Sequence, residues 1–200
     1  IVEIARACQD LGIKVMTLYA FSTENWNRPQ DEIDNLFNYL DEFFHKYLDE
    51  FMEKGVRVSH MGDISRLPEH SQVTLRDAIE KTKDNKNFVF NICLNYGSRQ
   101  EILKAVKEIA QEAKDGKIAI EDINEETVAN HLYSAGLPEV DLMIRTSGEQ
   151  RLSNYILYQV AYAEFVFTPV HWPDFKKPEF IDCLKEFCNR NRRFGSLTNQ

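Results

Sequence analysis

Short apolar segments typical of β-strands alternate with longer segments typical of amphipathic helices, and this alternation constrains the fold more than any other feature of the 200-residue chain. The main helical segments are long enough to carry the chain from one strand back to a parallel neighbour. The sequence therefore predicts an α/β fold with a mainly parallel central sheet surrounded by helices. The predicted strands are Lys14–Phe21, Val56–Met61, Phe88–Leu94, Asp141–Ile144 and Phe165–Val170.

The predicted helices cover residues 1–11, 30–54, 68–83, 98–114, 125–133 and 178–193. Segment 30–54 is unusual because its apolar residues cover more than the usual stripe of about 100°. Such a helix can be deeply buried, form a dimer contact, or provide one wall of a cavity for a long hydrocarbon. No linker or low-complexity stretch interrupts the pattern, so we predict a single domain over residues 1–200.

The composition narrows the class of ligand. The chain has 24 Lys and Arg against 32 Asp and Glu, a formal net charge of −8, which is unfavourable for non-specific binding to nucleic acid. A phosphorylated small molecule is the better expectation. Cys8, Cys93 and Cys183 lie in apolar patterns without metal-like spacing, which predicts reduced, mostly buried thiols and a cytoplasmic protein.

One polar turn predicts an anion site. Strand Asp141–Ile144 is followed by Arg145 and Arg151, with Gly148 between them, and then by Ser153-Asn154, which reads as a helix N-cap pair. Two guanidinium groups beside a helix N-terminus suit a diphosphate. Because ligands of parallel sheets bind at the carboxyl ends of strands, this turn can share one crevice with three other polar turns. Those three are Ser22–Arg28, Gly62-Asp63 and Asn95–Gly97.

Several segments together resemble the cis-prenyltransferase family. They are FSTENWNRP (21–29), GD (62–63), LNYGSR (94–99), DLMIRTSGEQRLSN (141–154), YQVAYAE (158–164) and the tail NRRFG (191–195). The resemblance extends over essentially the whole chain, and the block around IRTSGE is its most specific part. It implies a sheet of about six parallel strands in the full family fold, surrounded by helices that enclose a hydrophobic tunnel, and a homodimer.

The resemblance also implies a reaction. Isopentenyl diphosphate adds repeatedly to an allylic diphosphate such as farnesyl diphosphate, with cis geometry, and Mg²⁺ is required. The implied product is a long-chain polyprenyl diphosphate such as undecaprenyl diphosphate, a lipid carrier of cell-wall synthesis. Its transfer to a membrane suggests a cytoplasmic enzyme that can work at the inner membrane face.

Site roles follow from the resemblance where the motifs match. Arg145, Arg151 and Ser153 are expected to hold the isopentenyl diphosphate group. For the two arginines the alternative is a surface ion pair with Glu149 or Asp141.

The turn after the first strand is expected to serve the allylic substrate. Arg28 matches a residue that holds the allylic diphosphate, with a helix-start salt bridge to Asp31 or Glu32 as the alternative. Ser22 and Asn25 match the polar pair near the reacting carbons, although Asn25 can simply form a turn contact.

Three further residues complete the implied site. Trp26 lies in the substrate-binding motif, where packing is its more expected role. Glu32 matches a position near the isopentenyl group, or else stabilises its helix N-terminus. Glu164 matches a Mg²⁺ ligand reached across the dimer interface, with an interfacial salt bridge as the alternative.

One family segment is not found in these 200 residues. It is an Asp-Gly-Asn-Gly-Arg-Trp stretch whose aspartate holds Mg²⁺ and whose glycine-rich turn cradles the allylic diphosphate. We expect it to precede Ile1, and we expect a protein limited to residues 1–200 to be catalytically inactive.

Two other functions stay open from the sequence. The first is a non-catalytic subunit of a heteromeric cis-prenyltransferase, for which the tail Arg193-Phe194-Gly195 is compatible. The second is a nucleotide-binding α/β enzyme, which the lack of GxGxxG and GxxxxGK[ST] motifs argues against.

Overall fold

The computed structural model describes residues 1–190. The chain divides into two compact units. The larger contains Cys8–Leu137, and the smaller contains Ile1–Ala7 and the chain from Pro138 onward. The single domain inferred from the sequence stays a prediction, and each unit is described by itself below.

The described residues contain six α-helices and five β-strands. The helices are α1 Val2–Asp10, α2 Gln30–Lys54, α3 Glu69–Thr82, α4 Ser98–Lys114, α5 Glu125–His131 and α6 Lys177–Cys188. The strands are β1 Val15–Ser22, β2 Val56–Met61, β3 Phe88–Tyr96, β4 Leu142–Arg145 and β5 Glu164–Phe167.

The sheet of the larger unit has the order β1-β3-β2, and both of its strand pairs are parallel. Strand β3 lies in the centre and is almost entirely buried, as its continuous apolar sequence predicts for a strand covered on both faces. Ser22 pairs with Tyr96, and Met61 pairs with Cys93, so the carboxyl ends of all three strands meet at one edge.

Helix α2 has the predicted bounds. It follows Pro29 and ends at Gly55, whose φ of 66° lies in the left-handed region and whose N–H donates to Met52 O. The residues that it buries recur at helical spacing and are Ile33, Phe37, Leu40, Phe44 and Phe51. Phe43 is half-buried and packs on Phe90 of β3 at a ring distance of 5.8 Å. One face of α2 thus belongs to the core, and the hydrocarbon cavity stays a prediction.

The sheet of the smaller unit pairs β4 with β5 in parallel, from Leu142 opposite Glu164 to Arg145 opposite Phe167. Helix α6 packs against β5. The Lys177 N–H at the start of α6 donates to Glu3 Oε1 over 2.9 Å.

The helix predicted behind Ser153-Asn154 is wrong. Residues 151–163 form consecutive turns, and Ser153, Asn154 and Ile156 have φ values of 50°, 62° and 29°. A right-handed helix needs negative φ at each of its residues, so this backbone cannot continue as one. No helix N-terminus therefore contributes to the anion site predicted here.

Helices α2 and α4 and strand β2 have the predicted bounds, the other elements differ from theirs by one or two residues, and β5 and α6 differ more at their C-terminal ends. Strand β5 ends at Phe167 instead of Val170, because the Thr168 and Val170 carbonyls accept from the loop N–H groups of Gly148 and Ser147 instead of a neighbouring strand. Helix α6 ends at Cys188, and the predicted tail NRRFG lies outside the described residues.

The predicted fold class is confirmed, whereas the six-stranded family sheet, the tunnel and the homodimer stay predictions. The chain is an α/β protein with parallel sheets and surrounding helices. The three cysteines expected to be buried are buried and free. Within residues 1–190, no helix is both long enough and apolar enough to cross a membrane.

Candidate active site

The polar turn after β1 is a compact, internally bonded structure. Ser22 ends the strand, and Thr23–Asn27 form a short 3₁₀ helix. The Asn25 side-chain oxygen accepts the Ser22 N–H over 2.8 Å, while the Asn25 carbonyl accepts the Arg28 N–H over 3.0 Å. Asn25 therefore makes the turn contact considered from the sequence.

Three strand ends are joined by one chain of hydrogen bonds. Trp26 Nε1–H, after β1, donates to Asn95 Oδ1 at the end of β3 over 2.7 Å. Asn95 Nδ2–H donates in turn to the carbonyl of Asp63, after β2, over 2.7 Å. We call Ser22, Asn25, Trp26, Asp63 and Asn95 the strand-end cluster. It confirms that three of the four polar turns predicted to share a crevice lie together.

The backbone beneath this cluster is tightly packed. Gly62 has a φ of 126°, and a Cβ atom there would lie only 2.1 Å from Leu94 O. The adjacent His60 places Nε2 at 3.2 Å from the same carbonyl oxygen. Burial lowers the pKa of His60 to about 4, so the ring is neutral near neutral pH. Since a carbonyl can only accept, Nε2 carries the proton.

Trp26 is held from several sides. Phe21 meets its ring edge to face at 4.9 Å, and Phe37 stacks on it at 5.8 Å. The Arg66 guanidinium lies 4.9 Å from the ring centroid. These contacts agree with the packing role expected for Trp26.

Arg28 lies at the start of α2 with its charge near solvent. Its Nη1 donates to Glu32 Oε1 over 2.7 Å, and the two side chains are 50% and 53% exposed. This is the helix-start salt bridge considered as the alternative. Exposed ion pairs contribute only about 0–1 kcal/mol, so a diphosphate can displace Glu32 at little cost.

In the smaller unit, Arg145 ends β4 in a rigid setting. Its carbonyl accepts the Thr168 N–H over 2.9 Å, and the following loop is tied back by Ser147 N–H to Val170 O and Gly148 N–H to Thr168 O. The Arg145 side chain is half-buried and has no ion-pair partner within residues 1–190. It is a cation with unused hydrogen-bonding capacity.

Arg151 and Ser153 are exposed on the turns that follow. Arg151 forms an ion pair with Glu149, which is the surface pair considered from the sequence. Ser153 lies in the left-handed region, with a φ of 50°. The turn conformation presents both side chains to solvent instead of to a helix terminus.

Glu164, the expected metal ligand, begins β5. Its Oε2 accepts from Arg190 Nη1 over 3.0 Å, and the same guanidinium nitrogen donates to Phe165 O over 2.8 Å. This salt bridge lies within the chain, whereas the alternative considered from the sequence was one across the dimer interface, which stays a prediction. A carboxylate oxygen suits Mg²⁺, but residues 1–190 contain no group of three or more His, Cys, Asp or Glu placed to hold a metal ion. Glu164 can therefore supply one Mg²⁺ ligand, and residues 1–190 do not supply the others beside it.

One buried carboxylate was missed from the sequence. Glu101 of α4 is fully buried, accepts from Tyr96 OH over 2.5 Å, and accepts from the Tyr133 N–H over 2.8 Å. Burial, and next the bond to Glu101, raise the pKa of Tyr96. Glu101 thus fixes the turn that follows Asn95. The only sequence signal is its position on the apolar face of α4, between Ser98 and Ala105.

The comparisons with known proteins agree with this arrangement. The prenyltransferase family model, described as undecaprenyl diphosphate synthase, matches residues 1–195. An isoprenyl transferase of Clostridium perfringens is 47% identical over 194 residues, covering 97% of this chain and 77% of the relative. The isoprenyl transferase of Streptococcus agalactiae is 49% identical over 199 residues, covering 98% and 80%.

Two solved structures share the fold. Lavandulyl diphosphate synthase from Lavandula x intermedia, in complex with dimethylallyl diphosphate, has a TM-score of 0.94 and 36% identity, covering 97% of this chain and 84% of that one. A probable undecaprenyl diphosphate synthase from Campylobacter jejuni has a TM-score of 0.85 and 37% identity, covering 98% and 89%.

Proposed function

The chain belongs to the undecaprenyl diphosphate synthase family of prenyltransferases, and from this premise we propose that it condenses isopentenyl diphosphate repeatedly onto farnesyl diphosphate with cis geometry. The product is a long-chain polyprenyl diphosphate, with undecaprenyl diphosphate as the expected length. The protein is an enzyme, a transferase of the cis-prenyltransferase type.

The observation that carries this proposal is the convergence of polar turns at the carboxyl edge of the three-stranded sheet. Ligands of parallel α/β sheets bind at this edge. The turn with Ser22, Asn25 and Arg28 offers a hydroxyl, an amide and a guanidinium within seven residues. The carboxylate partner of that guanidinium, Glu32, can be displaced. That set suits the diphosphate of an allylic substrate, whose oxygens need several donors.

Arg145, Arg151 and Ser153 serve the isopentenyl diphosphate. Arg145 supports this role because it is half-buried, has no counter-ion within residues 1–190, and projects from a loop held by backbone hydrogen bonds. A guanidinium pairs bidentately with phosphate oxygens, which fixes orientation as well as charge. Arg151 and Ser153 add donors from the exposed turn.

The reaction needs the allylic diphosphate to leave and a proton to be lost from the isopentenyl unit. Arg28 stabilises charge on the departing diphosphate, and Ser22 and Asn25 orient the reacting groups. The proton lost from the isopentenyl unit passes, through the Ser22 hydroxyl, to an oxygen of the departing diphosphate. Glu32, once released from Arg28, is the acidic residue assigned to the isopentenyl group by the family resemblance. When bound, Mg²⁺ neutralises diphosphate charge, and Glu164 is the described residue that would hold it.

The growing hydrocarbon occupies a tunnel beside α2 and α3, two helices that contact each other. Burial of one CH₂ group contributes about 0.8 kcal/mol, so each five-carbon unit gains roughly 3–4 kcal/mol on leaving water. That gain favours further elongation over release. The enzyme works as a homodimer in the cytoplasm, delivers its product at the membrane, and has no nucleic-acid partner.

Isopentenyl diphosphate binding tests the function without requiring turnover. Calorimetric titration should show binding of isopentenyl diphosphate and no comparable binding of ATP. Arg145→Ala should weaken the affinity about tenfold or more, because a charge-assisted bidentate contact is lost. Arg76→Ala is the matched control, since Arg76 is an exposed arginine of α3 whose guanidinium donates to Gln72 Oε1 over 3.0 Å. Equal affinities of the parent protein and Arg145→Ala for isopentenyl diphosphate would contradict the proposal that Arg145 binds its diphosphate group.

Mass analysis of products from farnesyl and isopentenyl diphosphates tests the chemistry itself. A ladder of products that differ by five carbons supports repeated condensation. Binding of both substrates without any product, in the protein with its full family sequence, would favour the non-catalytic subunit instead.

A further inference from the structure

Asn95 uses both ends of its side-chain amide to join two turns. It is the penultimate residue of the central strand β3, is only 5% exposed, and has a φ of 47°. Its Oδ1 accepts from Trp26 Nε1 and its Nδ2 donates to Asp63 O, each over 2.7 Å. The indole N–H can only donate and the carbonyl can only accept, so the partners determine the orientation of the amide.

The hydrogen bond to Asn95 fixes the orientation of the Trp26 indole ring. Phe21 and Phe37 contact the indole ring, and Arg66 covers it, but these contacts are made by its carbon surface. Within residues 1–190, the indole nitrogen donates to one partner, the Asn95 oxygen. Without that acceptor, a half-buried N–H would have to find another partner by rotation of the ring.

Trp26 in turn belongs to the short helix that shapes the substrate turn. It directly follows Asn25, whose side chain caps Ser22 and whose carbonyl accepts from Arg28. A rotation of Trp26 would therefore displace the three residues assigned to the allylic diphosphate. Displacements of about 1 Å at such positions can change binding and rate by large factors.

We propose that Asn95 is a positioning residue for the allylic diphosphate, acting through Trp26 on the Ser22–Arg28 turn. The inference rests on the proposed function of that turn. Asn95 itself contacts no substrate in this proposal. Its position in the central strand determines where Trp26, and therefore the substrate-binding residues of the turn, lie. Asp63 takes part only through its backbone, so its side chain is not included.

Three variants separate this role from simple structural support. Asn95→Ala removes both hydrogen bonds. Asn95→Asp tolerates the positive φ and still accepts from Trp26, but it cannot donate to Asp63. Asn85→Ala is the matched control, because the Asn85 amide also bridges elements of this sheet, donating to Val56 O over 2.8 Å at the start of β2.

The affinity for farnesyl diphosphate, measured by calorimetry, is the first readout. Asn95→Ala should weaken it about tenfold or more, while isopentenyl diphosphate affinity stays within about twofold. Asn95→Asp should retain most of the farnesyl diphosphate affinity. Asn85→Ala should leave both affinities within about twofold of the parent values, even if it lowers the melting temperature as much as Asn95→Ala does.

The indole resonance of Trp26 is the second readout, assigned in the NMR spectrum with Trp26→Phe. Its Nε1–H should move upfield in Asn95→Ala and stay near the parent position in Asn95→Asp. In a Trp26→Phe background, Asn95→Ala should cost no further affinity, because the two residues act in series.

The outcomes separate this inference from the function on which it rests. If the parent protein with its full family sequence fails to bind farnesyl diphosphate, the assignment of the turn and the inference are both refuted. If the parent binds and Asn95→Ala binds equally well, or if Asn85→Ala loses as much affinity, only the positioning role falls. Additive losses from Trp26→Phe and Asn95→Ala would also overturn it.

Discussion

Acid should destabilise the larger unit through His60. This ring donates to Leu94 O from the edge strand β2, and its burial lowers the pKa from 6.5 to about 4. In the unfolded chain the same ring titrates near about 6.5. Between these values the unfolded state binds a proton that the folded state does not, so stability is lost as the pH falls from about 6.5 to about 4.

The size of the effect follows from the two pKa values. The fall of the His60 pKa from 6.5 to about 4 sets an upper limit of about 3 kcal/mol on this contribution to the free energy of unfolding. Between about pH 7 and pH 5, the same linkage predicts a loss of about 2 kcal/mol in the free energy of unfolding. Partial exposure of His60 places the real effect at or below this figure.

Urea unfolding of the parent protein and of His60→Gln measures this contribution. Glutamine can still donate to Leu94 O, but it does not titrate. The difference in unfolding free energy between the two proteins should therefore shift by about 2 kcal/mol between about pH 7 and pH 5. His131 cancels in this comparison, although its pKa is raised by the Thr127 carbonyl and its contribution has the opposite sign. Parallel pH profiles for the two proteins would refute the argument.

Two further changes should destabilise the larger unit. Gly62→Ala should cost about 3 kcal/mol or more, because its Cβ would meet a carbonyl oxygen at 2.1 Å, whereas Gly136→Ala, where nothing lies within 4 Å, should cost only about 1 kcal/mol in urea unfolding. Glu101→Ala should lower stability by about 2–4 kcal/mol, since it leaves the Tyr96 hydroxyl and the Tyr133 N–H buried without their acceptor. Glu101→Gln keeps an acceptor and should melt higher than Glu101→Ala; the reverse order would contradict this explanation.

Element bounds were predictable where local chemistry determines them. Pro29 and Gly55 flank α2, so its 25 residues could be read directly from the sequence. Strand β2 also has its predicted bounds, since it lies between Gly55 and Gly62. Because parallel strands end at one edge, the meeting of the first three polar turns followed from these bounds without any knowledge of side-chain contacts.

The failure at Ser153-Asn154 has a physical cause. Serine and asparagine are favoured at helix N-caps because their side chains bond nearby backbone groups, and the same property suits them to turns. Asparagine also tolerates the left-handed region better than most residues. The composition of the segment therefore does not distinguish a cap from a turn, and the backbone here adopts the turn.

Long-range polar partners were not predictable for a different reason. Asn95 and Trp26 lie 69 residues apart, and Glu101 and Tyr133 lie 32 apart. Each motif is short, and GD or NYG alone occurs in many unrelated proteins. Strand register brings Asn95 close to Trp26, and the contact between α4 and α5 brings Tyr133 close to Glu101. Both depend on the fold of the whole unit rather than on local sequence.

The ion pairs of the candidate site are compatible with its proposed role in binding. Arg28 and Arg151 have carboxylate partners, Glu32 and Glu149, and these pairs lie at the surface, where a pair adds at most about 1 kcal/mol. A diphosphate offers a higher charge and more acceptor oxygens than a single carboxylate, so exchange of partner is favourable for each arginine. Arg145 has no partner to give up within residues 1–190, so its full pairing energy goes into binding. Among the arginines proposed to hold diphosphates, Arg145 is therefore the one whose loss should weaken binding most.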